Sequence, residues 1–337
     1  MKTLYIQDVR DLHIKPGPDP ELTEDSVIVE IRLSGIMTEQ VGMWNGADPR
    51  IRKENTKHPL YRGGHPCTLP SDWAGEIIAV GSAVRDVKVG DRTAGYGPME
   101  SPRRVPSASY VKLAPDLDFD ELVSISYAAH GLHCIRQARI GVGENVVVVG
   151  QGPMGLGATH WAAFAGAGKV IATDRYENRL AIAKKVGATH VLNPDRVDVP
   201  QAVRDLTEGR GADVVINAAH SPPAFQYCLR LAGEKARVVV LSWYTEPITI
   251  DDMTDDFWVK ELEIVASKSA GPPDSLHSPH VRWTHHENLK LVARMMKEGR
   301  YSLKSLITSR FPVQEAQSVL TFVEERPQDV VKAVLDW

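Results

Sequence analysis

Hydrophobic and polar positions follow two different patterns along this chain. Residues 26–115 contain short β-like runs separated by glycine-rich turns, and the runs are SVIVEIRLSGI, WAGEIIAVGSAV and ASYVKLAP. From about residue 119, apolar β-rich runs alternate with amphipathic helical stretches; the runs lie at 145–150, 169–174, 190–193, 212–219, 236–242 and 261–267. Apolar strands separated by helices are typical of a parallel sheet that is covered on both faces. The pattern therefore predicts an α/β protein with a doubly wound parallel sheet and a second, β-rich domain.

Length, charge and cysteine content narrow the classes of function. The chain has 337 residues, enough for two domains with separate cores, and its formal net charge is −4. This charge balance does not indicate a nucleic-acid-binding surface. Cys67, Cys134 and Cys228 are too widely spaced for a disulfide framework or a zinc knuckle, and so few cysteines fit a reducing cytosol.

Neither the N-terminus nor the longest uncharged stretch predicts a membrane segment. Gln7, Asp8 and Arg10 interrupt the N-terminal apolar residues too early for a secretory signal. Residues 146–168 carry no charge, but the glycines and Pro153 within them indicate a buried strand, a turn and a helix. We therefore expect a cytoplasmic protein that acts on a small molecule and has neither nucleic acid nor membrane as a partner.

A glycine motif opens the predicted parallel domain. The first predicted strand there leads directly into Gly150, Gly152 and Gly155, with Pro153 and Met154 completing the turn before an apolar helix. Gly150 permits the tight turn, Gly152 lets the backbone approach a pyrophosphate, and Gly155 lets helix and strand pack closely. The positive end of the helix faces the phosphate charge. The context predicts a dinucleotide site, and a glycine-rich turn that binds nothing is the alternative.

Asp174 ends the next predicted strand, nineteen residues after Gly155. Its carboxylate is placed to accept hydrogen bonds from the adenosine ribose and would repel a 2′-phosphate, which favours NAD over NADP. Arg175 is the competing signal, because a guanidinium beside the ribose could pair with a 2′-phosphate. The sequence predicts NAD as the cofactor and keeps NADP as the alternative.

Several segments carry a family resemblance: SGIMTEQVGMWNG, DWAGEIIAVGSAVRDVKVGDR, YVKLAPDLDFDE, GQGPMGLGA, ATDRYENRLAIAKKVGATHVLN, GRGADVVINA and ITSRFPVQEA. With them the chain resembles the medium-chain dehydrogenase/reductase superfamily along nearly its whole length. The resemblance implies a GroES-like substrate domain at 1–125 and 269–337, a Rossmann cofactor domain at 126–268, and an active site in the cleft between them. It also implies cofactor contacts from Ser242 and Lys268, and a homodimer or homotetramer.

The resemblance also shows where this chain departs from many members of the family. The positions that hold a catalytic zinc in those members fall on Met37, Ser71 and Ser126 here. A thioether and two neutral hydroxyls are poor zinc ligands, because Zn²⁺ prefers thiolate, imidazole or carboxylate. The cysteine-bearing lobe is also missing from GYGPMESPRRVPSASY. We therefore expect a zinc-independent branch without a metal; SGIMT, FWVKELEIVAS and VLDW resemble the group that includes bacteriochlorophyllide a dehydrogenase.

A zinc-free site needs side chains that transfer the proton of the reacting oxygen. His130 is the first candidate, since it follows Ser126 on a predicted helix and the family places this position beside the nicotinamide; a packing role is equally open. Asp72 and Glu39 are the other candidates, although each could instead form a structural ion pair. Lys268 could also reach the substrate. The predicted substrate pocket consists of Met37, Trp44, Ser71, Ser126 and Tyr127.

Four histidines crowd a polar segment after residue 268: His277, His280, His285 and His286. Their spacing matches no established zinc pattern, so we favour a substrate lid or subunit contact. Arg282 and Trp283 in the same segment could line a pocket for a ring-shaped or acidic substrate.

Three functions are compatible with the sequence. The first is a zinc-independent, NAD(H)-dependent oxidoreductase that interconverts a secondary alcohol and a ketone, on a cyclic, sugar-like or tetrapyrrole-type substrate. The second is an NAD(P)H-dependent reductase of activated C=C bonds or quinones, and the third is a non-catalytic nucleotide-binding protein.

Overall fold

The computed structural model describes residues 1–48, 50–51, 63–107, 117–242, 244, 247–276, 278 and 281–337. The predicted run ASYVKLAP and two of the clustered histidines, His277 and His280, lie outside the described residues. Among the described residues, no helix has the length and apolar character needed to cross a bilayer.

The chain divides into two compact units. Unit 1 consists of Met1–Ser126 and Leu289–Trp337, and unit 2 is Tyr127–Asn288. The first division lies one residue from the predicted one, but the second lies at 288, so residues 269–288 fall in unit 2 rather than in unit 1. At the end of unit 2, the side-chain amide of Asn288 donates a hydrogen bond to the carbonyl of Ala270 (2.7 Å) and accepts one from Arg136 (3.0 Å).

Strands and helices alternate along most of the chain. In chain order the elements are β1 (Lys2–Asp8), β2 (Asp11–Pro16), β3 (Ser26–Ile36), α1 (Thr38–Trp44), β4 (Cys67–Thr68), β5 (Pro70–Val80), β6 (Arg92–Pro98), β7 (Glu100–Ser101), β8 (Arg103–Pro106), α2 (Phe119–Leu122), α3 (Ile125–Ala138), β9 (Asn145–Val149), α4 (Pro153–Phe164), β10 (Lys169–Thr173), α5 (Glu177–Lys185), β11 (His190–Leu192), α6 (Val199–Leu206), β12 (Ala212–Asn217), α7 (Pro222–Leu231), β13 (Ala232–Val240), β14 (Glu263–Ala266), α8 (His285–Lys297), β15 (Ile307–Pro312), α9 (Ala316–Glu325) and β16 (Lys332–Asp336). Short 3₁₀ and π segments connect some of them.

Unit 2 is built on a parallel six-stranded sheet in the order β11-β10-β9-β12-β13-β14. The middle strand β9 is a run of valines after Asn145 and is buried, as expected for a strand with helices on both faces. Chain order reverses between β9 and β12, which is the switch point where open α/β sheets bind ligands. The predicted doubly wound sheet is confirmed.

Unit 1 is β-rich, and its main sheet has the order β15-β16-β3-β5-β6, with β8 paired to β3. A smaller sheet pairs β1 with β2, β4 and β7. The longest strands, β3 and β5, are antiparallel and bury apolar residues such as Val29 and Ile77. In this sheet the end of β3 lies beside the starts of β5 and β16. Three of the predicted site residues lie there, namely Met37, Ser71 and Asp72.

Candidate active site

The glycine turn of unit 2 has the geometry that its motif predicts. Gly150 follows β9 with φ +88°, a conformation that L side chains rarely adopt. A Cβ atom on Gly155 would lie 1.8 Å from the carbonyl oxygen of Gly150, so only glycine fits there. A Cβ atom on Gly152 would meet nothing within 4 Å, so the space beside it is open to a ligand. Pro153 is the first residue of α4, with Met154 after it, and the helix begins at the turn.

Asp174 is held rigidly beside this turn. Its carboxylate accepts hydrogen bonds from the backbone amides of Gln151 (2.7 Å) and Tyr176 (2.9 Å). Arg179, which the sequence did not lead us to predict, places its guanidinium 3.7 Å from the same carboxylate, and its side chain is only 17% exposed. Arg179 follows Asp174 by five residues on α5, and a search for cations in that helix could have found it. Arg175 is instead exposed and pairs with Asp195 at 3.0 Å.

The remaining predicted cofactor residues lie at the same edge of the sheet. The last residues of five parallel strands are in register, so the residues that follow them lie at one edge of the sheet. These last residues are Thr173, Val149, Asn217, Val240 and Ala266. The residues after this row include Asp174, Gly150, Ser242 and Lys268. Ser242 is buried and Lys268 is exposed. Gly150 follows β9 at the switch point and Asp174 follows the neighbouring β10, whereas Ser242 and Lys268 follow β13 and the outermost strand, β14, at the same edge.

In unit 1, the start of β5 carries a buried ion pair. The hydroxyl of Ser71 donates to the carbonyl of Gly35 at 2.6 Å. The next residue, Asp72, is 2% exposed and pairs with Lys332, which is fully buried at the start of β16. Lys332 also donates to the carbonyl of Val123 and lies 3.3 Å from the hydroxyl of Ser124. Burial lowers the pKa of Lys332, while the charge of Asp72 opposes that shift.

Lys332 was not predicted as a site residue. The sequence does offer a signal, because this lysine interrupts the apolar run VVKAVL, where a charge needs a partner. Which partner it meets depends on strand pairing across the chain, and no local pattern reveals that.

The donor set at the family's zinc position does not fit zinc. Met37 offers a thioether, the Ser71 hydroxyl is engaged by a carbonyl, and the neighbouring carboxylate of Asp72 already binds an ammonium group. Ser126 lies in the first turn of α3 and adds another neutral hydroxyl. Within the part of the chain that the structure describes, no three His, Cys, Asp or Glu side chains are grouped to hold a metal.

Glu39 and Trp44, both on α1, have structural partners. Glu39 pairs with Arg50 at 2.8 Å and accepts a hydrogen bond from the hydroxyl of Tyr96 at 3.1 Å. Burial alone would lower the pKa of Arg50, but hydrogen bonding and charge from Asp48 and Glu39 raise it instead. Trp44 is 2% exposed, lies in the core, and donates from its indole to Gln317 at 3.1 Å. Trp44 therefore packs in the core of unit 1, and its place in the substrate pocket stays a prediction.

His130 lies on α3 with part of its side chain exposed. Its ring centroid is 6.5 Å from that of Tyr127, which is buried. His285 is close enough for the charges to interact: burial first, then the charges of His130 and His286, lower the pKa of His285 to about 4. The imidazole of His285 therefore stays neutral at neutral pH.

Comparison with known proteins agrees with this architecture. The family model for the alcohol dehydrogenase GroES-like domain matches residues 23–109, and the zinc-binding dehydrogenase model matches residues 153–277. Sorbitol dehydrogenase of Bacillus subtilis (strain 168) is 29% identical over 290 residues, which cover 76% of this chain and 80% of that protein.

Solved structures have the same fold. Galactitol-1-phosphate dehydrogenase from Escherichia coli superposes with a TM-score of 0.82 at 23% identity, covering 100% of both chains. A short chain alcohol dehydrogenase from E. coli CFT073, solved with NADH, has a TM-score of 0.81 at 20% identity and covers 100% of this chain and 99% of its own. The predicted GroES-like and Rossmann pairing is confirmed, and the chain belongs to the medium-chain dehydrogenase/reductase superfamily of oxidoreductases.

Proposed function

We propose that this protein is an NAD(H)-dependent oxidoreductase that interconverts a secondary alcohol and a ketone without a catalytic metal. The observation that carries the proposal is the glycine turn at the switch point, with Asp174 fixed beside it. The amides at the start of α4 bind the pyrophosphate, and Asp174 accepts hydrogen bonds from the ribose. The nicotinamide, when bound, supplies or accepts a hydride at C4.

The charges around the ribose position decide between the two nicotinamide cofactors. Asp174 repels a 2′-phosphate, and two backbone amides keep its carboxylate in place, which supports NAD(H). Arg175 and Arg179 favour NADP(H) instead, because they could pair with a 2′-phosphate. They are the observation that favours the second candidate, an NADPH-dependent reductase of activated C=C bonds or quinones.

The metal-free part of the proposal rests on the donor set of unit 1. Asp72 is committed to Lys332, and Met37 and Ser71 offer no anionic ligand. Hydrogen-bond donors and an acid/base side chain must then stabilise the alkoxide and move its proton.

We assign that proton transfer to His130. An imidazole titrates near neutrality and can accept the alcohol proton or return it to the ketone oxygen. His285, with its pKa lowered to about 4, stays neutral and so adds no positive charge that would oppose protonation of His130. Asp72 and Glu39 are given structural roles, because each already has a cationic partner. Tyr127 remains a candidate for the pocket wall.

The relatives indicate a broad class of substrate and no single compound. Sorbitol dehydrogenase acts on a polyol, and we propose a cyclic or sugar-like secondary alcohol for this chain. A homodimer or homotetramer is part of the same proposal.

Binding and turnover test the proposal separately. NADH and NADPH are titrated by fluorescence, and oxidation of a panel of polyols and cyclic alcohols is followed by NADH absorbance. We expect NADH to bind about tenfold more tightly than NADPH and His130→Ala to reduce kcat by about a hundredfold or more with little change in NADH affinity. His133→Ala, on the same helix, is the matched control.

Two results would replace the proposal. Tighter binding of NADPH together with turnover of enones or quinones would favour the second candidate. Cofactor binding without hydride transfer, and no effect of His130→Ala, would indicate a nucleotide-binding protein without catalysis.

A further inference from the structure

A cationic cluster outside the residues assigned above lies where residues 281–288 pack against α3 in unit 2. The guanidinium carbons of Arg136 and Arg282 lie 3.7 and 4.4 Å from the ring centroid of Trp283. Both distances are well inside the range of a cation–π interaction. The indole thus holds two positive charges close together at one place on the surface.

No acid of the described residues forms an ion pair with Arg136 or Arg282. Arg136 donates from Nε to the side-chain oxygen of Asn288 at 3.0 Å, which leaves its terminal N–H groups for another acceptor. Among the described residues, neither arginine has a carboxylate within ion-pair distance. The nearby Asp274 is already engaged by His286 and Thr284.

The charges within the cluster also favour the binding of an anion. Burial first, and the charge of Arg282 second, lower the pKa of Arg136 to about 10. Two guanidinium groups that repel each other are stabilised when an anion binds within reach of both. A planar fork of N–H donors matches the oxygens of carboxylate and phosphate, which a lysine at either position would not reproduce.

We propose that Arg136 and Arg282, positioned by Trp283, bind an anionic oxyacid group of the substrate, a carboxylate or a phosphate. This inference rests on the proposed function, because it makes the substrate an anionic secondary alcohol. Arg136 follows His130 by six residues on α3, a rise of about 9 Å along the helix axis. Six residues also turn the helix so that the two side chains leave it about 120° apart, and a substrate that contacts both must carry its anionic group several bonds from the reacting carbon.

A binding experiment tests the site without requiring turnover. Inorganic phosphate and succinate are titrated calorimetrically into the full-length protein, with and without NADH. We expect at least one probe to bind and Arg282→Gln to weaken it by about tenfold or more. Arg294→Gln removes the same charge from an exposed position on α8 and should leave binding unchanged. Binding of phosphate alone or of succinate alone identifies the group that the site prefers.

Kinetics then connects the site to catalysis. Sorbitol is compared with sorbitol 6-phosphate, and galactitol with galactonate, in the wild type and in Arg282→Gln. We expect Arg282→Gln to raise KM for the anionic substrates by about tenfold and to leave KM for the neutral ones unchanged, with Arg282→Lys intermediate.

The two proposals fail in different ways. Equal binding of both probes by the wild type and Arg282→Gln, or no binding of either, overturns the anion site even if the protein oxidises alcohols. Absence of any NAD-dependent turnover overturns the proposed function, while a loss of probe binding in Arg282→Gln would still establish the anion site.

Discussion

The glycine turn of unit 2 and the Asp72–Lys332 pair of unit 1 differ in how far apart in the sequence their parts lie. Gly150 and Asp174 stand at the ends of adjacent strands and are joined by a single helix. Asp72 and Lys332 are separated by 260 positions and meet only because β3 lies between β5 and β16. The turn is held by backbone geometry, whereas the pair is held by charge in a buried environment. Local geometry can be predicted from a motif, and a distant charge partner cannot.

The largest effect should come from breaking the distant pair. Lys332→Met leaves the buried carboxylate of Asp72 without its ammonium partner, and we expect a loss of about 3–5 kcal/mol in the free energy of unfolding. Urea denaturation measures it. Asp72→Asn combined with Lys332→Met should recover part of the loss, because no buried charge remains.

A matched exposed pair provides the control for that result. Lys304 pairs with Asp118, and each side chain is 50% exposed. Lys304→Met should therefore cost less than about 1 kcal/mol. Similar losses in Lys304→Met and Lys332→Met would show that burial does not set the strength of the Asp72 interaction.

Substitutions at two glycines of the turn should affect stability and NADH binding differently. Gly155→Ala places a methyl group against the carbonyl of Gly150, so we expect a loss of about 2–3 kcal/mol in stability as well as weaker NADH binding. Gly152→Ala meets no atom of the protein, so its melting temperature should stay unchanged while its Kd for NADH rises by about tenfold or more. Equal melting temperatures for both variants would contradict the packing role of Gly155.

His285 extends the comparison to an electrostatic interaction between residues that are distant in the sequence. Its pKa in the folded protein is about 4, below the ordinary 6.5, because of burial and then the charges of His130 and His286, while Asp274 opposes the shift. The stability that it contributes is present above pH 6.5 and is lost as pH falls toward 4. Relative to the wild type, His285→Gln should flatten this pH dependence by on the order of 2 kcal/mol in urea unfolding. An unchanged slope would mean that His285 titrates normally.

The smallest expected effect is a change in cofactor preference at Asp174. Asp174→Asn removes the charge that repels a 2′-phosphate, and its single side-chain oxygen can accept from only one of the amides of Gln151 and Tyr176, which donate to different oxygens of Asp174. The ratio of NADPH to NADH affinity should rise by about tenfold, because Arg175 and Arg179 remain. Glu208→Gln, an exposed carboxylate elsewhere in unit 2, is the control. A ratio that does not change would remove Asp174 from the discrimination.

The same comparison explains how much the sequence could predict. The valine run of β9, the glycine spacing and the acid after β10 are short-range patterns, so the parallel sheet and the cofactor edge were predicted. Asp72 and Glu39 were named as candidates from the sequence, but their ion-pair partners Lys332 and Arg50 were not. The tertiary fold determines which charges meet, and the local sequence does not show it.

Two further contacts have the same physical origin. The indole of Trp44 donates to Gln317 from α9 within the core. Asn288 joins the segment before it to Ala270 and Arg136. Neither contact has a signature in the nearby sequence.

The most direct test of the central claim is the zinc content of the purified protein, measured by mass spectrometry beside its NAD-dependent alcohol oxidation before and after chelator treatment. Because the side chains expected at the family's metal position are neutral and the neighbouring carboxylate of Asp72 is paired with Lys332, we predict far less than one zinc per chain and undiminished activity after chelation. One zinc per chain, whose removal abolishes the activity and whose return restores it, would contradict the account.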